Sequence, residues 1–310
     1  MIPRPDPAVV ALFPIVAGLL AAAPILIAAA AIPLRRRAPA LVRELWLRYA
    51  TWVALAGLAL GALALGPWPW GALVAVLALA AFREYAGAVG LGQDVWLRAV
   101  TARSILAVHA AGWYAVARDS GGLLVAVLVA AALLTFLVPI VRDRAEAMLE
   151  GVARSLLGVI LFGLLLGHLG WFLARPHGGA LLALLLLLVS LHDVTAFVVG
   201  RVAGRHPLRA RLSPRKTREG AAGALAVVLV AAQGLGGLAP GYSRLHLLGL
   251  GLLVGAGATL GDLASSVIKR DVGVKDWGSA LPGHGGVLDR LNSLVFTAPI
   301  CFHYTGYILS

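Results

Sequence analysis

Between residues 266 and 292 the chain reads SVIKRDVGVKDWGSALPGHGGVLDRLN, with seven charged residues and five glycines in a sequence that is only 13% charged overall. Carboxylates at Asp262, Asp276 and Asp289, ammonium groups at Lys269 and Lys275, guanidinium groups at Arg270 and Arg290, His284 and the glycines Gly285 and Gly286 are the parts a site needs to handle phosphate oxygens. Carboxylates suit a hard cation such as Mg2+, which takes oxygen ligands and is shared with substrate phosphates. Glycines permit close backbone approach and expose N–H groups. A second basic stretch, RVAGRHPLRARLSPRKTRE at 201–219, is entered from LHDVTAFVVG. All three lysines of the chain, Lys216, Lys269 and Lys275, fall in these two stretches of a protein that otherwise prefers arginine. A compact ammonium is a different phosphate ligand from a planar guanidinium. Taken singly, each fragment has a plain alternative. Asp289 would pair with Arg290 or Lys275 within a loop, and PGHGG would be a turn.

The rest of the chain sets these groups in a membrane. Of 310 residues, 60% are hydrophobic, and the mean hydropathy is +0.91. A spanning helix needs roughly 20 apolar residues, and about ten candidates run over 8–33, 49–66, 68–82, 104–117, 122–141, 156–174, 179–200, 220–239, 246–265 and 293–309. These segments are apolar on every side, which excludes barrel strands and predicts an all-α, polytopic integral membrane protein. If 35–48 is cytoplasmic, alternation places 83–103, 142–154, 201–219 and 266–292 on the same side. Those stretches carry 22 of the 26 Lys and Arg residues, the asymmetry that the positive-inside rule expects. The formal charge of +12 is then a matter of topology and anionic lipid, and implies no nucleic acid. The first apolar run is too long for a cleaved signal sequence and reads as a retained helix. The single Cys301 excludes an internal disulfide framework. With neither repeats nor a linker, residues 1–310 read as one membrane domain with active-site loops at 201–219 and 266–292.

The order S-x-x-K-R, then K-D-x-G-x-x-x-P-G-H-G-G-x-x-D-R, is carried by Ser266, Lys269, Arg270, Lys275, Asp276, Gly278, Pro282, Gly283, His284, Gly285, Gly286, Asp289 and Arg290. It resembles the signature of the phosphatidate cytidylyltransferase (CDP-diacylglycerol synthase) family. The earlier loop resembles the same family through Asp193, Gly200, Arg201 and Gly204, followed by Ser213, Pro214, Lys216, Thr217, Glu219 and Gly220. Gly261-Asp262 with Ser266 is similar to its G-D-x-x-x-S element, and Arg83-Glu84 to a further short feature. Two positions depart from the pattern. Asn292 stands where the family has Asp, and Ser265 where an acid usually precedes the signature serine.

The resemblance implies transfer of CMP from CTP to phosphatidate, giving CDP-diacylglycerol and pyrophosphate. It assigns Asp262 and Asp289 as ligands of Mg2+, with room for a second cation, and Lys275 and Asp276 as further catalytic residues. Ser213, Lys216, Thr217, Lys269, Arg270, His284, Gly285, Gly286 and Arg290 would bind substrate phosphates. It further implies a homodimer in a bacterial inner (plasma) membrane with the site facing the cytoplasm. Three other readings use the same parts: a CTP-dependent lipid kinase, a transporter with Asp193 and Asp262 on an ion path, and a paralogue altered at Asn292 that uses another lipid acceptor. His109, His168, His192, His246 and His303 are expected to hydrogen-bond neighbouring carbonyls. Trp277 is expected to anchor the signature loop at the membrane interface, the alternative being that it packs on the cytosine ring.

Overall fold

The computed structural model describes residues 39–309 except 176, 239–240 and 282–284, together with scattered positions between 10 and 28. The expected first span, most of 8–33, and the signature residues Pro282, Gly283 and His284 lie outside the described residues. The described chain is helical almost throughout. In order come α1 (Pro39–Leu65), α2 (Pro67–Ala88), α3 (Val95–Ala117) and α4 (Gly122–Val141). After them come α5 (Met148–Ala174), α6 (Gly178–Ala203), a short hairpin of β1 (Pro207–Arg209) and β2 (Ser213–Thr217), α7 (Arg218–Gly234), α8 (Arg244–Asp271) and α9 (Val287–Leu309).

The helix boundaries follow local chemistry. Pro67 opens α2, where its missing N–H costs no hydrogen bond. Asp94 caps α3 by accepting the Trp96 and Leu97 amides at 3.1 Å each. Thr217 caps α7 through the Gly220 amide, and Ser243 caps α8 through that of His246. Lys269 and Arg270 end α8, where cations complement the carbonyl terminus.

Among the described residues five helices, α2, α4, α5, α6 and α8, are long and apolar enough to cross a membrane. This is an all-α membrane architecture, while the ten-span count extends beyond those five. Two stretches expected as connections are entered by helices: α2 continues through Arg83 and Glu84, and in 266–292 α8 continues through Asp271 while α9 begins at Val287. Ser266, Lys269 and Arg270 therefore lie on the last turns of α8, and Asp289 and Arg290 on the first turn of α9.

Helices α1 to α5 form one group, with α3 packed on α4 and on α5. In the second group α6 lies against α7, and α8 packs between α7 and α9. Helix α9 also contacts α2 and α5, so it joins the two groups. The spanning part of α5 is 61% buried and that of α4 only 17%, which places α5 at the centre and α4 at the rim.

Within α5, residues Val159–Leu165 widen into a π-helical turn, which shifts the hydrogen-bond pattern. Two histidines cap carbonyls of this turn: His109 Nε2–H donates to Phe162 O at 2.9 Å and His168 Nδ1–H to Leu164 O at 2.8 Å. His168 Nε2 consequently carries a lone pair and accepts from His303 Nε2–H at 3.2 Å. His109 and His168 meet the expectation of carbonyl-bonded histidines. His192 does not, since its ring bonds side chains instead.

Candidate active site

The two motif stretches meet at the ends of α8 and α9. Strand β2 carries Lys216 to α8, where its Nζ lies 2.6 Å from Asp262 Oδ2, donates to Asp262 O at 3.0 Å and approaches Ser266 Oγ at 3.4 Å. The Ser266 hydroxyl donates to Asp262 O at 2.8 Å. Arg270 fastens the turn of the hairpin by donating from Nε to Leu212 O at 3.3 Å. Ser213 begins β2 opposite Arg209, and the Thr217 oxygen serves as the α7 cap.

Small residues let the hairpin and the α6–α7 crossing close up. A Cβ on Gly204 would fall 2.2 Å from Gly200 O and 2.6 Å from Thr217 Cγ2. Glu219, in the first turn of α7, holds the entry to β1 by accepting from the His206 ring and from the Arg205 and His206 amides. The hydrogen bond from His206, backed by the amides, pushes the Glu219 carboxyl down to about 2.

Asp289 is bound on both oxygens. Oδ1 pairs with Lys269 Nζ at 2.9 Å, and Oδ2 accepts the Trp277 amide at 2.9 Å and the Gly286 amide at 3.0 Å. This pair is nearly enclosed, the side chains being 6% exposed for Asp289 and 13% for Lys269. Asp289 thus closes the base of the loop between Trp277 and Gly286. The Gly286 N–H, expected to face phosphate, is spent on Asp289, and Leu281 N–H donates to Gly285 O. Gly285 has a φ of 80° and Gly273 one of 74°, conformations that favour glycine.

Trp277 packs inside the protein rather than standing out from the loop. It is buried, its Nε1–H donates to Ser265 Oγ at 2.8 Å, and its ring packs 6.0 Å from that of Tyr85. Ser265, one of the two departures from the motif, is therefore the acceptor that seats this indole. Lys275, Asp276 and Arg290 are exposed beside it.

Asn292, the other departure, is buried, and its Oδ1 has no hydrogen-bond partner among the described residues. It lines a cavity of about 30 Å³ with Tyr85, Phe162, Ser265 and Trp277. Gly261 lets α8 approach it: a Cβ there would fall 2.3 Å from Asn292 O.

Two groups outside the sequence assignments complete the surroundings. His192 Nδ1–H donates to Asp193 Oδ1 at 3.1 Å, its Nε2 accepts from Thr259 Oγ1 at 3.2 Å, and Ser293 Oγ lies 3.1 Å from each Asp193 oxygen. This string links α6, α8 and α9, and its Thr259 stands three residues before Asp262 on α8. Glu84 of α2 accepts the Val287 and Leu288 amides at 2.9 Å each. The letters Arg83-Glu84 marked the place, but its partners are backbone groups, which no sequence pattern displays.

Among the described residues no three His, Cys, Asp or Glu side chains gather closely enough to hold a metal ion. Mg2+ binds characteristically through one or two carboxylates plus substrate phosphates and water. Asp262 fits that role, because its side chain is 40% exposed and its Oδ1 carries no hydrogen bond among the described residues. Asp289 offers an oxygen to a cation only if Lys269 withdraws.

The sequence profile of the Cytidylyltransferase family matches residues 46–308. Uncharacterized protein YnbB of Escherichia coli (strain K12) is 40% identical over 167 residues, 52% of this chain and 56% of that protein. A protein named phosphatidate cytidylyltransferase from Synechocystis is 43% identical over 118 residues, 38% of this chain and 40% of that one. Another of that name, from Helicobacter pylori, is 44% identical over 137 residues, 44% of this chain and 50% of that one. The chain spans about half the length of these relatives, and the family match covers nearly all of the described structure. With the motif residues of β2, α8 and α9 brought to one place, the chain belongs to the cytidylyltransferase family.

Proposed function

We propose that this protein transfers CMP from CTP to phosphatidate. The carrying observation is the convergence of Lys216, Asp262 and Ser266 with Lys269 and Asp289 where α8 and α9 meet the hairpin. Family membership and the names of the relatives support the same reading. A phosphatidate oxygen attacks the α-phosphorus of CTP, the bond to the bridging oxygen breaks, and pyrophosphate leaves with that electron pair. No base is needed, since the phosphate is already an anion.

Repulsion between two anionic substrates is the main obstacle, so cationic side chains dominate the chemistry. Lys275 and Arg290, exposed at the loop, meet the phosphates, and Lys216 exchanges its Asp262 partner for one of them. Asp262 would hold a Mg2+, which would supply neutralisation of triphosphate charge. Ser213 and Arg270 border the same opening from the hairpin side, and Asp276 flanks Lys275. We further propose about ten spans, a homodimer, and an inner-membrane position with this end of the bundle in the cytoplasm, supported by the basic bias of the expected inner stretches.

A second reading rests on Asn292. A neutral, unpartnered group at a motif position favours a lipid acceptor other than phosphatidate. The test is a membrane assay with labelled CTP, Mg2+ and either phosphatidate or other phospholipids and lipid alcohols. CDP-diacylglycerol plus pyrophosphate is the expected outcome. Phospholipid plus CDP would identify a kinase, and a CDP-lipid formed only with another acceptor would establish the second reading.

A further inference from the structure

We infer that Glu84 on α2 is a positioning residue for the start of α9 and for the glycine loop, an inference that rests on the transferase reading only for what the loop is used for. Its Oε1 accepts the Val287 N–H and its Oε2 the Leu288 N–H, both at 2.9 Å, across more than 200 positions of sequence. A side chain next to the helix start would satisfy these amides equally well, yet would move with its own loop. Glu84 belongs to a helix of the other group, so it fixes α9 to something outside that loop.

The same carboxylate occupies the space that side chains would need at two loop positions. A Cβ on Gly278 would come 2.8 Å from Glu84 Oε1, and one on Gly286 2.4 Å from Oε2. Both ends of the segment 278–286 therefore rest on Glu84, while Asp289 holds it through the Trp277 and Gly286 amides. Charge favours the arrangement, because a carboxylate at a helix N-terminus is stabilising. It also removes α9 as an anion site: the Gly286, Val287 and Leu288 amides that would face a phosphate are consumed by two carboxylates of the protein. Phosphates must then be met by side chains, and Glu84 sets where Asp289 and Arg290 stand without touching substrate itself.

Hydrogen–deuterium exchange of the full chain in nanodiscs tests this on wild type, Glu84→Gln and Glu84→Ala, with kinetics on CTP and phosphatidate alongside. Glu84→Ala should speed exchange at 277–290 by about tenfold or more, the worth of one charge-assisted hydrogen bond, with Gly122–Val141 unchanged. Its kcat should fall by about the same factor while KM for CTP stays within about twofold. Glu84→Gln, which keeps one acceptor oxygen, should lie between. Unchanged exchange at 277–290, or an equal rise in α4, overturns the assignment. If Glu84→Ala does not fold, Gly286→Ala pushes on the same carboxylate, and wild-type exchange in that variant is equally fatal. A wild type that makes no CDP-lipid while the local exchange difference persists counts against the transferase and for Glu84 as the support of the loop.

Discussion

The ammonium of Lys216 is shared between Asp262 and Ser266 with its side chain 28% exposed, whereas that of Lys269 is 13% exposed against an Asp289 that is 6% exposed. The first is open to exchange and the second is part of the packing. Lys216→Ala should therefore reduce CTP use by about 10- to 150-fold, the range for a charge-assisted contact, with little change in thermal midpoint. Lys269→Ala should lower the midpoint as well, because it leaves a buried carboxylate unpaired. Purified variants compared by kinetics and thermal unfolding separate the two, and equal stability of both would contradict the distinction. Asn292 suggests a different experiment, since a carboxylate added to its apolar cavity lacks a partner. Asn292→Asp should unfold at lower temperature than wild type in EDTA and recover with Mg2+ if the position lies within reach of a cation. Recovery by neither Mg2+ nor Ca2+ would place it outside. Glu219 gives a pH dependence of known sign. Its folded value of about 2 lies below the ordinary 4.5, so the link to β1 is intact above 4.5 and is lost as pH falls toward 2. Amide exchange at Arg205 and His206, corrected for intrinsic rate, should accelerate over that interval and remain flat above it.

Among the elements, the helices were legible because runs of apolar residues longer than a membrane is thick have few other uses. The hairpin was not. PLR and SPRKT show no alternation of apolar and polar residues, and the hairpin is held by Glu219 and Arg270 from outside the strands. The π-turn of α5 was equally hidden, since VILFGLL is as good an α-helix as any of its neighbours and only His109 and His168 mark its displaced carbonyls. One glycine shows how tightly that region is fitted. A Cβ on Gly112 of α3 would sit 1.9 Å from Trp171, whose indole N–H donates to His109 O at 3.0 Å. Gly112→Ala should cost about 1–3 kcal/mol through overpacking, read as a lower unfolding midpoint, with the assay for CDP-lipid unaffected below that temperature.

Across the whole molecule, charge bias predicts which side each connection faces, and labelling can check it. In a Cys301→Ser background, Asp276→Cys should react with impermeant maleimide only from the cytoplasmic side and Arg118→Cys only from the other, both positions being exposed. Reaction of both from one side would overturn the topology. The gathering of charges was legible where it resides in side chains: the motif stretches bring Lys216 to Asp262 and Lys269 to Asp289. The site was illegible where it depends on backbone partners, as at Glu84, or on a burial that pattern does not report, as at Trp277. Glu84 bonds to Val287 and Leu288 from the far half of the chain, so the stretch of densest motif similarity is no autonomous module. A fragment beginning at α6 would hold every signature residue yet leave its loop without a foundation. Supplying residues 1–177 as a separate polypeptide should restore what the fragment lacks, much as a keystone cut apart from its arch regains its load once the springers are set back in place.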